Sequence, residues 1–349
     1  MSSGGKTKDL GNLSNNYRTK REPCEGLLLY DRMRRSKKAV WGFVFNFFRA
    51  LLIFGLCFLI LQPLLDKLSV SFMEQQDLYD GTVISIPRHW TFDNYKLAGR
   101  LLEYWPSFFQ TILIVAISSV LQITACTLAG YGFARFKFPF KNFWFLCVLL
   151  IIVVPPQTIM ASLYLNFHFF DILGIIRLIA GRPANLLNSV AGYWLLSATG
   201  MGLKSGLYIF MLRQYFRSVP KELEEAAWVD GCGKLKTFIR IMLPDAAPML
   251  TSCFLFSFVW QWTDYFYSTL FLTNYKMLSS GLGGLASRFS QWWVTINGSN
   301  MTTGGVAPIG YTQAIIATGM LMCLAPLIVL YLAAQKAFVE SLSQTGIKM

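Results

Sequence analysis

The sequence has few histidines and lacks the groupings from which metal and catalytic sites are built. Its two histidines, His89 and His168, lie far apart and have no ligand-spaced partner, which argues against a metal site. No segment has the form G-x4-G-K-[ST] that cradles nucleotide phosphates, and the run Gly200-Met201-Gly202-Leu203-Lys204-Ser205 lacks the Gly-Lys step. No side chain has a catalytic partner at a recognisable spacing. We therefore expect neither an enzyme nor a cofactor.

Charge is also scarce. Charged residues make up 14% of the 349 residues, against 54% hydrophobic and 15% aromatic residues, a balance that does not suit a soluble surface. Six weakly charged apolar runs each approach the roughly 20 residues that a helix needs to cross a bilayer. They cover about residues 41–65, 107–129, 142–164, 186–212, 247–272 and 311–337. The sequence predicts an all-α membrane protein with six transmembrane helices, and Pro155-Pro156 predicts a kink in the third.

Acidic residues are outnumbered before the first apolar run and prevail after it. Residues 1–38 carry ten basic and four acidic residues, whereas residues 66–106 carry four basic and six acidic ones. Because cytoplasmic loops retain Lys and Arg, this pattern predicts a cytoplasmic amino terminus followed by an outer loop. With six spans, both termini are predicted in the cytoplasm of a bacterial cell, with the chain in its plasma membrane.

The net charge of +13 does not indicate nucleic-acid binding, because the basic residues are divided among loops and a tail and no single face collects them. We expect no nucleic-acid partner. Residues 1–38 are predicted to be a basic cytoplasmic tail, disordered and touching anionic lipid head groups. Residues 39–349 are predicted to form the membrane domain.

The long loop of residues 213–244 is predicted to contain two short helices. Ser218 is expected to cap the first and Pro220 to suit its opening turn. Gly231 is expected to end that helix, because a residue without a side chain readily adopts the left-handed conformation. An apolar stripe at helical spacing marks the second helix, and Pro244 then resets the chain before the fifth span.

This loop also carries the pattern E-A-A-x3-G-x9-I-x-L-P, formed by Glu225, Ala226, Ala227, Gly231, Ile241, Leu243 and Pro244. A solvated amphipathic connector is the plain interpretation. The fixed spacing favours docking instead, because the two alanines leave a slim helix face that fits a partner's groove, Glu225 offers a charge beside it, and Gly231 permits the turn behind it.

The sequence resembles the membrane subunits of type I ABC importers, in particular the carbohydrate-uptake branch of maltose-transporter-like permeases. The resemblance covers about residues 50–349. Besides the docking pattern it rests on the segments Thr91-Phe92-Asp93-Asn94-Tyr95, Phe210-Met211-Leu212-Arg213-Gln214-Tyr215-Phe216 with Ser218-Val219-Pro220, Trp262-Thr263-Asp264-Tyr265, and Gly346-Ile347-Lys348. It implies a six-span permease whose coupling helix, between spans four and five, docks on an ABC ATPase. It also implies a second, homologous permease and an extracytoplasmic sugar-binding protein as partners.

Residues 262–265 of span five and Lys204 are the candidates for chemistry within the membrane. One interpretation places Trp262, Asp264 and Tyr265 on a sugar pathway, because aromatic faces stack on sugar rings and carboxylates accept from their hydroxyls. The other is an interfacial aromatic belt with a solvated acid. Lys204, predicted at a different depth from Asp264, is expected to snorkel inward or to pair with the partner permease.

Three departures from the family pattern bear on the substrate, not on the class of protein. Thr263 stands where the family often has Asn, the loop of residues 175–187 is longer than usual, and the basic tail is extended. An importer of a phosphorylated polyol, a peptide or a complex glycan is therefore the alternative. An ion channel would need no docking helix, and a membrane-embedded enzyme would need convergent acids, bases or metal ligands.

Overall fold

The computed structural model describes residues 25–83, 86–172, 174–298 and 306–346, and it is built from helices. The chain divides into two compact units between Leu65 and Asp66. The helices are α1 (Glu25–Ser71), α2 (Asp93–Leu101), α3 (Tyr104–Arg135), α4 (Lys141–Val153), α5 (Met160–His168), α6 (Ile175–Ala180), α7 (Val190–Ala198), α8 (Ser205–Ser218), α9 (Glu222–Val229), α10 (Lys234–Thr237), α11 (Leu243–Asp245), α12 (Ala247–Trp262), α13 (Phe266–Phe271), α14 (Leu278–Gly283), α15 (Leu285–Asn297) and α16 (Ile309–Gly346).

Helix α1 begins earlier than the predicted tail allows. Residues 25–38 are helical, whereas the sequence predicted disorder up to residue 38. This stretch is rich in Leu, Arg and Lys, which favour helix, and it contains only one Gly and no Pro. Residues 1–24 of the predicted tail, and Ile347 and Lys348 of the carboxy-terminal motif, lie outside the described residues.

Three helical stretches are long and apolar enough to cross a membrane: Trp41–Ser71, Tyr104–Arg135 and Ile309–Lys336. They correspond to the predicted first, second and sixth spans. Two bent pairs of helices raise the number to five among the described residues: 141–153 with 156–168, and 234–245 with 247–262. The first pair coincides with the predicted third span, and its axis turns by 102° at the break before Pro156. The kink expected at Pro155-Pro156 is thus a sharp bend, since two successive prolines remove two backbone donors.

The predicted fourth span, residues 186–212, is not one helix. Helix α7 ends at Ala198 and α8 begins at Ser205. Gly200 and Lys204 both have positive φ angles, +70° and +62°, so the intervening backbone makes a tight turn. The backbone groups that the turn frees need other partners.

Gln122 of α3 supplies one of these partners and also bonds nearby side chains. Its Nε2 donates to the carbonyl oxygen of Leu203 and to Oγ of Ser205, both at 2.7 Å. Its Oε1 accepts from Ser257 at 2.6 Å and from Gln261 at 2.8 Å, both on α12. One buried amide therefore joins α3, α8 and α12, and it fixes the turn where the sequence predicted continuous helix.

Helix α3 lies at the centre of the packing, with α7, α8 and α12 against it. A side chain at Gly130 would meet Cβ of Leu212 at 2.9 Å, so α3 and α8 approach closely there. Gly206 fills the same need between α8 and α4, where an added Cβ would lie 2.8 Å from the Val148 carbonyl oxygen. Gly202, three residues before α8 begins, lies instead against Gln122, so Gly202 and Gly206 approach different helices.

The segment between α1 and α3 is held by polar side chains that bind backbone groups. Asn94 of α2 is buried, and its Nδ2 donates to the carbonyl oxygens of Ser71 and Met73 at 3.0 and 2.9 Å. Asp77 is buried as well, and its Oδ2 accepts from the backbone N–H groups of Arg88 and His89 at 2.8 and 2.7 Å. The Thr91–Tyr95 motif therefore has a structural role around Asn94.

Candidate functional site

The loop predicted to dock begins differently from its sequence pattern. Ser218 does not cap α9: it is the last residue of α8, and its Oγ donates to the carbonyl oxygen of Tyr215 at 2.8 Å. Helix α9 begins after Lys221 without a side-chain cap. Three glutamates in its first turn, at positions 222, 224 and 225, favour the positive end of the helix dipole.

Gly231 ends α9 as the sequence predicts. Its φ is +79°, its N–H donates to the carbonyl oxygen of Trp228, and the N–H of Cys232 donates to that of Ala227 at 2.9 Å. This pair of bonds is a Schellman motif, which needs a residue in the left-handed conformation at the position of Gly231. The chain then turns into α10.

Helix α9 is anchored to α3 by a buried ion pair that the sequence pattern did not reveal. Oε1 of Glu224 lies 3.3 Å from Nε of Arg135, and both side chains are almost fully buried. The hydroxyl of Tyr131 also donates to Oε1 of Glu224 at 3.1 Å. Arg135 completes the link, because its second terminal nitrogen donates to the carbonyl oxygen of Val219 at 2.7 Å. The charge that the sequence singled out, Glu225, is exposed, while its neighbour Glu224 holds the helix in place.

The two alanines of the pattern differ in their exposure. Ala227 is buried against the chain, and Ala226 is exposed beside Glu225. Only Ala226 is therefore open to a partner, whereas Ala227 lets α9 approach its own membrane domain.

The second half of the loop packs through part of its apolar stripe. A π-helical turn, Phe238–Met242, follows α10, and Phe238 and Met242 are buried with Tyr131 and Phe216 in one core cluster. Among the pattern residues, Leu243 packs against this cluster, Ile241 is half-buried and Pro244 is exposed. The chain then bends by 74° into α12.

The rest of the loop presents a mixed apolar and charged surface, here called the docking face. Its apolar members are large and exposed: Leu223, Trp228, Val229, Leu235 and Ile239. Charged side chains surround them, and Lys236 and Arg240 border the open depression that Leu235 and Ile239 line. Exposed apolar side chains rimmed by charge are typical of protein interaction sites.

The three residues predicted on a sugar pathway separate in the structure. Trp262 is 3% exposed, and its Nε1 donates to the carbonyl oxygen of Cys323 in α16 at 3.1 Å. Asp264 is 7% exposed and accepts from the backbone N–H of Ser268 at 3.1 Å, where it stabilises the first turn of α13. Tyr265 is 53% exposed. Both interpretations of Asp264 therefore fail, since it is neither open to a ligand nor solvated.

Lys204 and Trp260 form an exposed pair that was not predicted from the sequence. Nζ of Lys204 lies 5.0 Å from the centre of the Trp260 ring, and both side chains are exposed. Helix α8 extends 14 residues from Lys204 to Ser218, or about 21 Å at 1.5 Å per residue. Trp260 lies 13 residues beyond Ala247 at the start of α12, or about 20 Å. Both residues therefore lie well away from the loop ends of their helices, and the ammonium of Lys204 contacts the Trp260 ring. The glycines before Lys204 were the signal for the turn that projects it.

Within the described residues no group of three or more His, Cys, Asp or Glu side chains is arranged to hold a metal ion. His168 lies parallel to the ring of Tyr164, with 5.9 Å between ring centres, and His89 binds Asp77.

Comparison with known proteins places this geometry in a family context. Residues 122–344 match the family model described as "Binding-protein-dependent transport system inner membrane component". The maltodextrin transport system permease protein MdxG of Bacillus subtilis is 29% identical over 74% of this chain and 81% of its own length. The arabinooligosaccharides transport system permease protein AraQ of Halalkalibacterium halodurans is 25% identical over 84% of this chain and 93% of its own length.

A solved structure has a similar fold. It is a chain of a bacterial ABC transporter involved in the import of the acidic polysaccharide alginate, and it aligns with a TM-score of 0.60. The alignment covers 84% of this chain and 96% of that chain, at 19% identity. At this identity the likeness establishes the fold alone.

Proposed function

We propose a function for this chain that starts from its family. The chain belongs to the binding-protein-dependent transport system inner membrane components. It is a membrane-spanning permease subunit of an ABC importer, and several of its relatives are named for sugar transport. The proposal is that this chain is half of the pore of a sugar importer. It crosses the plasma membrane six times with both termini in the cytoplasm, and it couples to a separate ATPase through the 218–244 loop.

The anchored α9 is the observation that carries the coupling proposal. The Glu224–Arg135 pair ties α9 to α3, and the Schellman turn at Gly231 fixes where α10 starts. A push on the docking face is therefore passed to a membrane helix and is not absorbed by a loose loop. Because the docking face combines exposed apolar side chains with charges of both signs, an ABC ATPase subunit is the partner that it suits in this family.

Sugar is proposed as the substrate class because MdxG and AraQ are named for maltodextrin and arabinooligosaccharide transport. A second permease and an external binding protein complete the proposed assembly. The basic residues before the first span are proposed to lie at anionic lipid head groups.

Purification from native membranes in mild detergent, followed by mass spectrometry, tests the assembly. We expect an ATPase chain, a second permease and a binding protein to accompany this chain. Recovery of the chain alone, under conditions that keep other ABC complexes together, contradicts the proposal.

Charge introduced on the docking face tests the coupling step. Trp228→Glu and Val229→Glu are expected to release the ATPase while the second permease remains bound, because they put charge at apolar contacts. Tyr79→Glu is the matched control, since Tyr79 is also a large exposed side chain but lies between α1 and α2. Loss of the ATPase from the control, or its retention by both docking variants, would count against the assignment.

A further inference from the structure

Lys204 is the one exposed cation among the described residues that lies on a predicted span and contacts an aromatic ring. No carboxylate in the part of the chain that the structure describes lies within ion-pair distance of it; its contact is with Trp260. A charged side chain at membrane depth is costly unless it faces water, a charged partner or a ligand. Lys204 lies about 20 Å from the loop ends of α8 and α12, so water at the loop surface does not solvate it.

The backbone around Lys204 is held rigidly by buried side chains. Gln122 binds the residue before Lys204 through the Leu203 carbonyl and the residue after it through the Ser205 hydroxyl. The same amide accepts from Ser257 and Gln261, which flank Trp260 on α12. Lys204 and Trp260 are therefore positioned relative to each other by one buried network, which is the arrangement of a built site and not of a mobile surface lysine.

Exposed residues also lie near the pair in sequence. Four neighbours in sequence are exposed with it: Ala198, Thr199, Met201 and Thr263. Two of these carry hydroxyls, and Trp260 at 45% exposure keeps part of its ring open. An open aromatic face beside a cation matches a sugar ring that carries a negative group.

We propose that Lys204 and Trp260 form a position on the translocation pathway that binds the carboxylate or phosphate of an anionic sugar or polyol. This inference rests on the proposed import function and narrows its substrate class. The ammonium of Lys204 leaves the Trp260 ring for the stronger charge-assisted bond to the anion, and the freed ring then stacks on the sugar. A neutral sugar has no group that competes with the ring for the ammonium.

Binding to the purified complex of both permeases and the ATPase tests the proposal. The probes are a galacturonate disaccharide, glucose 6-phosphate and the neutral disaccharide maltose, titrated by calorimetry at low and high salt. We expect one charged probe to bind at least about tenfold more tightly than maltose, and high salt to weaken its binding. Comparison of the galacturonate disaccharide with glucose 6-phosphate shows whether the site prefers a carboxylate or a phosphate.

Variants separate the site from the rest of the molecule. Lys204→Gln is expected to reduce binding of the charged probe about tenfold and leave maltose unchanged, while Lys204→Arg retains the preference. Trp260→Ala is expected to weaken both classes of probe. Lys137→Gln, an exposed lysine between α3 and α4, is the matched control and should change nothing.

Three results overturn the inference: no preference for either charged probe in the wild-type complex, unchanged binding in Lys204→Gln, or separation of the two permeases in Lys204→Gln. The last result assigns Lys204 to a salt bridge with the partner permease. A chain that purifies without any ATPase overturns the proposed import function itself. A complex that hydrolyses ATP but ignores charge overturns only the present inference.

Discussion

Lys204 precedes α8 in the sequence and Glu224 follows it, and the two charges have opposite surroundings. Glu224 is buried and meets Arg135 and Tyr131 of α3, so its charge serves the architecture of the docking loop. Lys204 is exposed, and a single aromatic ring is its contact among the described residues. A charge that finds its partner within the chain stabilises the fold, whereas one left exposed on a predicted span points to a partner outside the chain.

Removal of the buried carboxylate should have the largest effect. Glu224→Ala leaves Arg135 buried without a counter-charge, and we expect a loss of about 3–5 kcal/mol in the stability of the docking loop. Thermal unfolding of the purified complex and the amount of retained ATPase measure this. Glu225→Ala is the matched control, because its exposed side chain should change stability by less than about 0.5 kcal/mol. Equal losses in the two variants would contradict the anchoring role of Glu224.

Disruption of the network around Lys204 should have the next largest effect. Gln122→Leu removes the partner of the Leu203 carbonyl and the acceptor of the Ser257 hydroxyl, and we expect a loss of about 2–3 kcal/mol. Thermal unfolding measures it, and weaker binding of the charged probe should accompany it. Thr124→Val on the same helix is the control, because the Thr124 hydroxyl bonds only the carbonyl of Val120 in the preceding turn. An unaffected Gln122→Leu variant would mean that the turn does not depend on this amide.

The turn behind α9 should be less costly to break but more visible in transport. Gly231→Val places a β-branched residue at a φ of +79°, at a cost of about 1–2 kcal/mol, and we expect uptake to be lost because α10 is displaced. Gly233→Ala is the control, since Gly233 has a φ of −71° and an added Cβ would meet nothing within 4 Å. Normal uptake by the Gly231→Val variant, still present in the membrane, would refute coupling through this turn.

Asp77 and His89 form a third charged contact, which lies outside the predicted spans. Its loss should have the smallest effect on stability. Backbone and side-chain hydrogen bonds from His89 lower the pKa of Asp77, and the bond to Asp77 raises the pKa of His89. The Asp77 contribution is lost as pH falls below its lowered pKa. The His89 contribution is complete below the ordinary imidazole value of about 6.5 and is lost as pH rises through the raised pKa.

Amide hydrogen exchange across residues 73–90 measures this contact. We expect protection of this segment to be greatest between about pH 4 and 6.5. His89→Gln should flatten the decline on the alkaline side. A protection profile that does not change with pH, once corrected for intrinsic exchange rates, would contradict the assignment.

The predictable parts of this molecule are those where one residue type imposes one conformation. Pro155-Pro156 predicted the break in the third span, and Gly231 predicted the end of α9, because each residue restricts or permits the backbone locally. The all-helical character also followed from composition, and the class of transporter followed from the resemblance of the docking pattern to that of type I ABC importer permeases.

The unpredicted parts depend on contacts between distant segments. The fourth span was predicted as continuous because its apolar run is long enough to cross a bilayer, and the partner that stabilises its interruption, Gln122, lies more than 80 positions earlier. The pattern likewise gave no reason to prefer Glu224 over Glu225, since only the position of Arg135 on α3 distinguishes them. Trp262 and Asp264 were predicted on a sugar pathway because of their side-chain types. In the structure Trp262 is buried against α16 and Asp264 against α13.

The Gln122 amide has a consequence for how the chain is made. Its acceptor oxygen must wait for Ser257, which follows 135 residues later, a delay of roughly 7–27 s at about 5–20 residues synthesised per second. During that interval the Gln122 oxygen lacks the two donors on α12 that it has in the folded chain. We therefore expect the packing of α3 against α12 to be completed late, once two segments far apart in the chain have both been made.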